Sequence, residues 1–109
     1  MSEPSGFELV ARVEDVPDKG VLGVELSEGQ RVCLARVGQE IFAVHDNCTH
    51  EHFPMSEGNV LDGHIIECSW HGARYDLRTG ALVRAPANGP IATFEVKVEN
   101  GEIRVGRRR

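Results

Sequence analysis

Four side chains in this sequence have the types and spacing of a metal centre. They stand in two short segments, Cys48-Thr49-His50 and Cys68-Ser69-Trp70-His71, with seventeen residues between them. Two thiolates and two imidazoles complete a tetrahedral shell around one zinc ion. The same four groups also suit a [2Fe–2S] cluster in which two histidines replace two cysteines on one iron. The spacing favours the cluster. C-x-H is a short bite for a single zinc, whose usual ligand pairs are C-x2–4-C and H-x3–5-H. Over two irons, each segment can give its cysteine to one and its histidine to the other, so that both segments grip the whole cluster.

Such segments need a rigid frame, and the rest of the chain reads as short strands. Turn residues are dense, with twelve glycines and five prolines in 109 residues. Between them lie β-branched or alternating runs: 7–12, 21–26, 31–37, 40–45, 64–67, 73–77, 81–84, 91–98 and 102–105. Gly38-Gln39 and Asn100-Gly101 are placed as hairpin turns. No stretch of helical length is periodic, and a single helical turn near Glu14–Val16 is the most the pattern allows. The expectation is an all-β domain spanning residues 1–109, a β-sandwich or small barrel. The longest segments without strand character are 46–59 and 68–72, and they carry the four candidate ligands. Chemistry commonly sits on loops held by such a sheet.

Composition removes several functions. The net charge is −5, from 17 acidic and 12 basic residues. That argues against nucleic acid, whose phosphates call for a basic surface. Three cysteines in a short chain do not make a disulfide framework and point to metal or catalytic use. No apolar run approaches the ~20 residues of a membrane span, and Met1–Phe7 lacks the features of a signal peptide. A cytoplasmic protein without a membrane partner is expected. The basic run Arg107-Arg108-Arg109 reads as a solvated tail.

The paired segments resemble the Rieske family. The likeness rests on Cys48-Thr49-His50 and on the longer run Cys68-Ser69-Trp70-His71-Gly72-Ala73-Arg74-Tyr75-Asp76. Ser56-Glu57-Gly58, Thr79-Gly80 and the segment from Pro86 to Pro90 also fit it, and the likeness covers essentially the whole chain. It implies a Rieske-like antiparallel β-sandwich with two cluster-binding loops at one end and one [2Fe–2S] cluster per chain. Cys48 and Cys68 would hold the inner iron, His50 and His71 the outer one, and the 86–90 segment would cover the cluster. Ser69 stands where many members carry proline.

High-potential members of that family carry a membrane anchor, an extra cysteine in each loop and a serine after the His-Gly. None of these is present, and Ala73 occupies the serine position. A neutral imidazole pair raises the potential relative to four thiolates, whereas fewer donors to sulfur lower it. The expected potential lies near the low end of roughly −150 to +300 mV. A small low-potential protein of this kind resembles the ferredoxin component of aromatic ring-hydroxylating dioxygenases. The implied role is a monomeric electron carrier, not an enzyme. Its implied partners are an NAD(P)H-dependent flavin ferredoxin reductase and a terminal Rieske non-haem iron oxygenase. The alternative is a Rieske-type small subunit of a nitrite reductase, many of which lack the ligands that this chain has. A zinc-stabilised binding module is a third reading. The chain is too short to be the oxygenase itself.

Other residues take plainer readings. His52 is a solvated loop residue, His45 and His64 belong to the frame, and Cys33 between Val32 and Leu34 packs as a small hydrophobe. Trp70 either shields the cluster or meets a partner. Glu51, Glu57, Asp62, Glu67 and Asp76 are near the ligands in sequence. By default they are a solvated face, and their functional reading is attraction toward basic partners.

Overall fold

The computed structural model describes residues 6–47, 54–69, 72–85 and 89–109. Ten strands form two antiparallel sheets. They are β1 (Glu8–Arg12), β2 (Val21–Glu25), β3 (Arg31–Val37), β4 (Glu40–His45), β5 (Asn59–Leu61), β6 (Ile65–Glu67), β7 (Arg74–Asp76), β8 (Leu82–Arg84), β9 (Thr93–Glu99) and β10 (Glu102–Arg108). The larger sheet has the order β1-β10-β9-β4-β3-β2, and the smaller runs β5-β6-β7-β8.

The larger sheet curls until its edges approach each other. Glu8 on β1 accepts hydrogen bonds from the backbone N–H and hydroxyl of Ser27, just beyond β2, at 3.0 and 3.1 Å. The curl encloses one core of Val32, Leu34, Ile41, Ala43, Phe94, Ile103 and Val105. The opposite face of the same strands carries Cys33, Ala35 and Val44. These pack on Val60, Ile66 and Tyr75 of the smaller sheet, and the second core lies between the two sheets. β3 is therefore buried on both faces, which explains why Val32-Cys33-Leu34-Ala35 is continuously apolar rather than alternating.

The sandwich expected from the sequence is present, with most strands where the runs placed them. The β9–β10 hairpin pairs Glu99 with Glu102 across Asn100 and Gly101. Both turn residues have positive φ, the geometry of a type I′ turn. The expected helical turn appears as a 3-10 turn at Val13–Asp15. Two features differ from expectation. A 3-10 turn at Met55–Glu57 lies within the expected loop 46–59, and a three-residue strand, β5, follows where no strand was expected; both are too short to show a period. Residues 107–109 are not a free tail. β10 runs through Arg108, and the Arg109 N–H donates to the Thr93 carbonyl at 2.8 Å, although all three side chains are exposed.

Candidate metal centre

The frame pins the ends of both ligand-bearing segments. β4 ends at His45, whose N–H donates to the Ala92 carbonyl at 2.9 Å, while the next N–H, on Asp46, donates to the Arg31 carbonyl at 3.2 Å. The Asp46 side chain is fully buried. Its carboxylate accepts from the Ser56 N–H at 2.7 Å and from the Ser56 hydroxyl at 2.9 Å. Arg31 approaches the same carboxylate at 3.4 Å. Asp46 and Ser56 thus close the neck of the segment that holds Cys48 and His50. Met55, wholly buried, anchors its exit in the inter-sheet core.

The second segment is closed by a backbone bond from the Cys68 N–H to the Ala73 carbonyl at 2.8 Å. Glu67 and Arg74 pair across the last rung of β6 and β7, and the Arg74 Nε–H donates to the Glu67 carboxylate at 3.0 Å. Cys68 is fully buried in the same core as Met55, Ala73 and Tyr75. A thiolate ligand emerging from an apolar core suits a cluster screened from water on its inner side.

The two necks lie against each other. Gly58, at the exit of the first segment, packs directly on the Glu67 carbonyl at the entry of the second, where any side chain would collide. The segment leading into β9 is held by both sheets: Val44 of the larger pairs with Thr93, and the Ile91 N–H donates to the Gly80 carbonyl, in the turn between β7 and β8 of the smaller, at 2.8 Å. Gly80 has φ +82°, and a Cβ there would run into the Ile91 carbonyl, so this contact requires glycine.

Of the four ligands expected from the sequence, Cys68 is placed at this junction. Cys48, His50 and His71 lie outside the described residues, as do Glu51, His52, Trp70 and Pro86. The described neighbours of the missing three, namely Asp46, Met55, Cys68 and Ala73, converge on one end of the fold. A donor set of two thiols and two imidazoles fits a [2Fe–2S] cluster, and the buried Cys68 fits its apolar side.

The remaining candidates take the structural roles given above. Burial, reinforced by the Asp46 carboxylate, pushes the Cys33 thiol far above its usual range, so it stays protonated and is a poor ligand. Burial and Arg108 lower the His45 pKa against the opposing pull of Asp46, and its Nδ1 lies 2.9 Å from the Gln30 side-chain nitrogen. His64 meets Glu40 at 3.0 Å and stacks edge-on against Phe42. Asp62 and Asp76, near the ligands in sequence, lie at the far ends of β5 and β7. Asp62 pairs with Lys19 at 2.7 Å and Asp76 with Arg78 at 3.1 Å. The Asp46–Ser56 neck was not expected from the sequence. Its only sequence signal is Ser56 in the Ser56-Glu57-Gly58 run, because a closure across ten residues has no local period.

Comparison with known proteins agrees with this geometry. The model of the Rieske [2Fe-2S] domain matches residues 6–95. The ferredoxin component of the p-cumate 2,3-dioxygenase system of Pseudomonas putida is 39% identical over 90 residues, covering 83% of this chain and 76% of that protein. Among solved structures, one chain from a complex of reduced oxygenase and oxidized ferredoxin in carbazole 1,9a-dioxygenase superposes with a TM-score of 0.86 at 31% identity. The match covers 97% of this chain and 98% of that one. The ferredoxin of carbazole 1,9a-dioxygenase from Nocardioides aromaticivorans IC177 gives 0.87 at 27% identity, covering 94% and 99%. Among the described residues no helix is long and apolar enough to cross a membrane. With the family pattern matched over most of its length, and its frame shared with these ferredoxins, the chain belongs to the Rieske [2Fe–2S] domain family.

Proposed function

We propose that this protein is the ferredoxin component of a multicomponent aromatic ring-hydroxylating dioxygenase. It carries one electron at a time from a flavin reductase to the terminal oxygenase. The observation that carries the reading is the match to the Rieske domain over residues 6–95, with Cys48, His50, Cys68 and His71 all present in the sequence. The kinship with dioxygenase ferredoxins supports the partner class. One domain holds one [2Fe–2S] cluster, which supplies a reversible one-electron couple.

The chain's own residues do the rest. Cys48 and Cys68 would hold the inner iron, and His50 and His71 the outer one. The Asp46–Ser56 neck closes the first segment and the Cys68–Ala73 bond the second, and the close packing of Gly58 on the Glu67 carbonyl sets one neck against the other. Tyr75 and Met55, both fully buried, keep water from the inner face.

Low-temperature EPR of the dithionite-reduced protein tests the reading. A rhombic signal of low average g, integrating to one spin per chain, is expected. A silent spectrum with zinc on metal analysis would replace the carrier by a structural module. A signal of the all-cysteine type would remove His50 and His71 from the ligand set.

A further inference from the structure

The entry to the Cys48 segment hangs on one carbonyl. The Arg31 carbonyl accepts from the Asp46 N–H at 3.2 Å and from the side-chain amide of Gln30 at 2.9 Å. Gln30 stands just before β3, and its own carbonyl takes the Leu26 N–H at 2.8 Å, which holds the turn in place. The same Gln30 side-chain nitrogen lies 2.9 Å from His45 Nδ1. His45 pairs with Val32 across β3 and β4, so its ring lies on the face that the larger sheet encloses. Pro90, Ala92, Phe94 and Arg108 line the cleft around it.

One amide therefore serves two acceptors. Its orientation is fixed by the Arg31 carbonyl. Turned over, the amide would set its own oxygen against that carbonyl oxygen, acceptor facing acceptor. With the nitrogen there, Gln30 donates both ways, and His45 Nδ1 must offer a lone pair. The ring is then neutral, with its proton on Nε2. A second proton, on Nδ1, would face the amide N–H, donor against donor. No single orientation of Gln30 then satisfies both partners. Keeping the Arg31 carbonyl gives up the ring, and turning toward the ring sets oxygen against oxygen at Arg31. The surroundings also favour the neutral ring. Burial and the Arg108 guanidinium lower the His45 pKa below its ordinary 6.5, and Asp46 pulls the other way. Glu8, Glu28 and Arg107 line the adjoining cleft, which shares Gln30 and Arg108.

We propose that Gln30 and His45 are positioning residues for the ligand-bearing segment, forming a latch that neutral His45 closes and a proton on Nδ1 opens. Opening disturbs the Arg31 carbonyl and with it the Asp46 N–H, at the neck of the segment that holds Cys48 and His50. The inference rests on the cluster-carrier reading and adds an acid limit on how firmly that neck is held.

The test follows loss of the visible chromophore from the full-length holoprotein with EDTA, from about pH 8 to about pH 4.5, a range that spans ordinary histidine titration. Acid speeds release from any centre with imidazole ligands, so the readout is the difference between variants run in parallel. In the wild type the opened latch should add about fivefold to the acceleration, the worth of one neutral hydrogen bond. His45→Asn puts an amide oxygen where Nδ1 stands, keeps the acceptor and takes up no proton. It should lack that fivefold. Gln30→Ala removes the latch at every pH. It should bleach about fivefold faster than wild type at the alkaline end and no faster at the acid end. A glutamine that merely supports its turn would give one constant factor throughout, and that result overturns the latch. So does a wild-type acceleration no larger than that of H45N.

Denaturant midpoints give a second reading that needs no metal. Between the folded His45 pKa and 6.5 the unfolded chain binds more protons. Wild-type stability should therefore fall relative to H45N as pH drops below about 6.5, and a constant difference overturns the latch. EPR of the dithionite-reduced protein separates the two levels. Absence of the rhombic signal brings down the carrier reading, and the midpoints still decide the latch. Its presence with parallel pH profiles brings down the latch alone.

Discussion

Replacing Asp46 with alanine should both destabilise the protein and release its iron. The wild-type carboxylate is fully buried and accepts two short bonds from Ser56, at 2.7 and 2.9 Å. A hydrogen bond to a charged group contributes about 1.5–3 kcal/mol, and stranding a buried N–H costs about 1–3 kcal/mol. Arg31 adds little, since its side chain is half exposed and 3.4 Å away. The expected loss is about 3–4 kcal/mol, a large share of the ~5–15 kcal/mol that holds a domain of this size. The damage falls on the neck of the Cys48–His50 segment, so the opened neck should become more populated by a factor of roughly several hundred. Asp46→Asn keeps one acceptor for the Ser56 N–H and turns the other contact into a donor toward the hydroxyl. It should cost about 1 kcal/mol. Two assays report the outcome: the denaturant midpoint by far-UV circular dichroism, and the rate of bleaching of the visible chromophore with an iron chelator. D46A should bleach much faster than D46N, and D46N faster than the wild type. If D46A kept the wild-type midpoint to within about 0.5 kcal/mol and bleached no faster, the neck would be a bystander and the account wrong.

Three further outcomes follow from particular residues. Ala73 is fully buried at the second neck, where its carbonyl already serves Cys68. Ala73→Ser adds a hydroxyl donor and should raise the potential by about one neutral hydrogen bond, on the order of 40 mV for one electron; voltammetry showing no shift with an intact EPR signal would rule out the donor account. Met55→Ala leaves a void in the inter-sheet core at the exit of the first segment. It should cost about 2–5 kcal/mol in denaturant titration, with a loss below 1 kcal/mol meaning that the site collapses around the gap. Asp76 is held below its ordinary value of 3.8, chiefly by its hydrogen bond to Arg78. Between the two values the unfolded chain binds more protons than the folded one. The contribution is thus full above about 3.8 and is lost as pH falls through the lower folded value. Asp76→Asn should lower the midpoint at neutral pH, and its difference from wild type should shrink below about pH 4; a difference that is constant with pH contradicts the assignment.

The sequence by itself determined the chemistry and the class of frame. Cys48-x-His50 and Cys68-x2-His71 are local patterns whose donor types and short bites narrow the centre before any fold is known. Alternation and turn residues locate nearly all the strands, because strand period and turn chemistry are properties of neighbouring residues. Cys33 was also legible, since its place between two apolar neighbours in a strand decides its burial. What only the tertiary structure decided depends on residues far apart in the chain. Asp46 and Ser56 meet across ten positions, and nothing in either's neighbourhood announces the bond. Arg107–Arg109 read as a tail because a run of like charge is usually solvated; pairing with β9 and the bond from Arg109 to Thr93 instead make them the end of a strand. Asp62 and Asp76 lie within a few residues of the ligands in sequence. They sit at the opposite end of the smaller sheet in space, because an antiparallel strand carries its two ends in opposite directions however short the sequence between them.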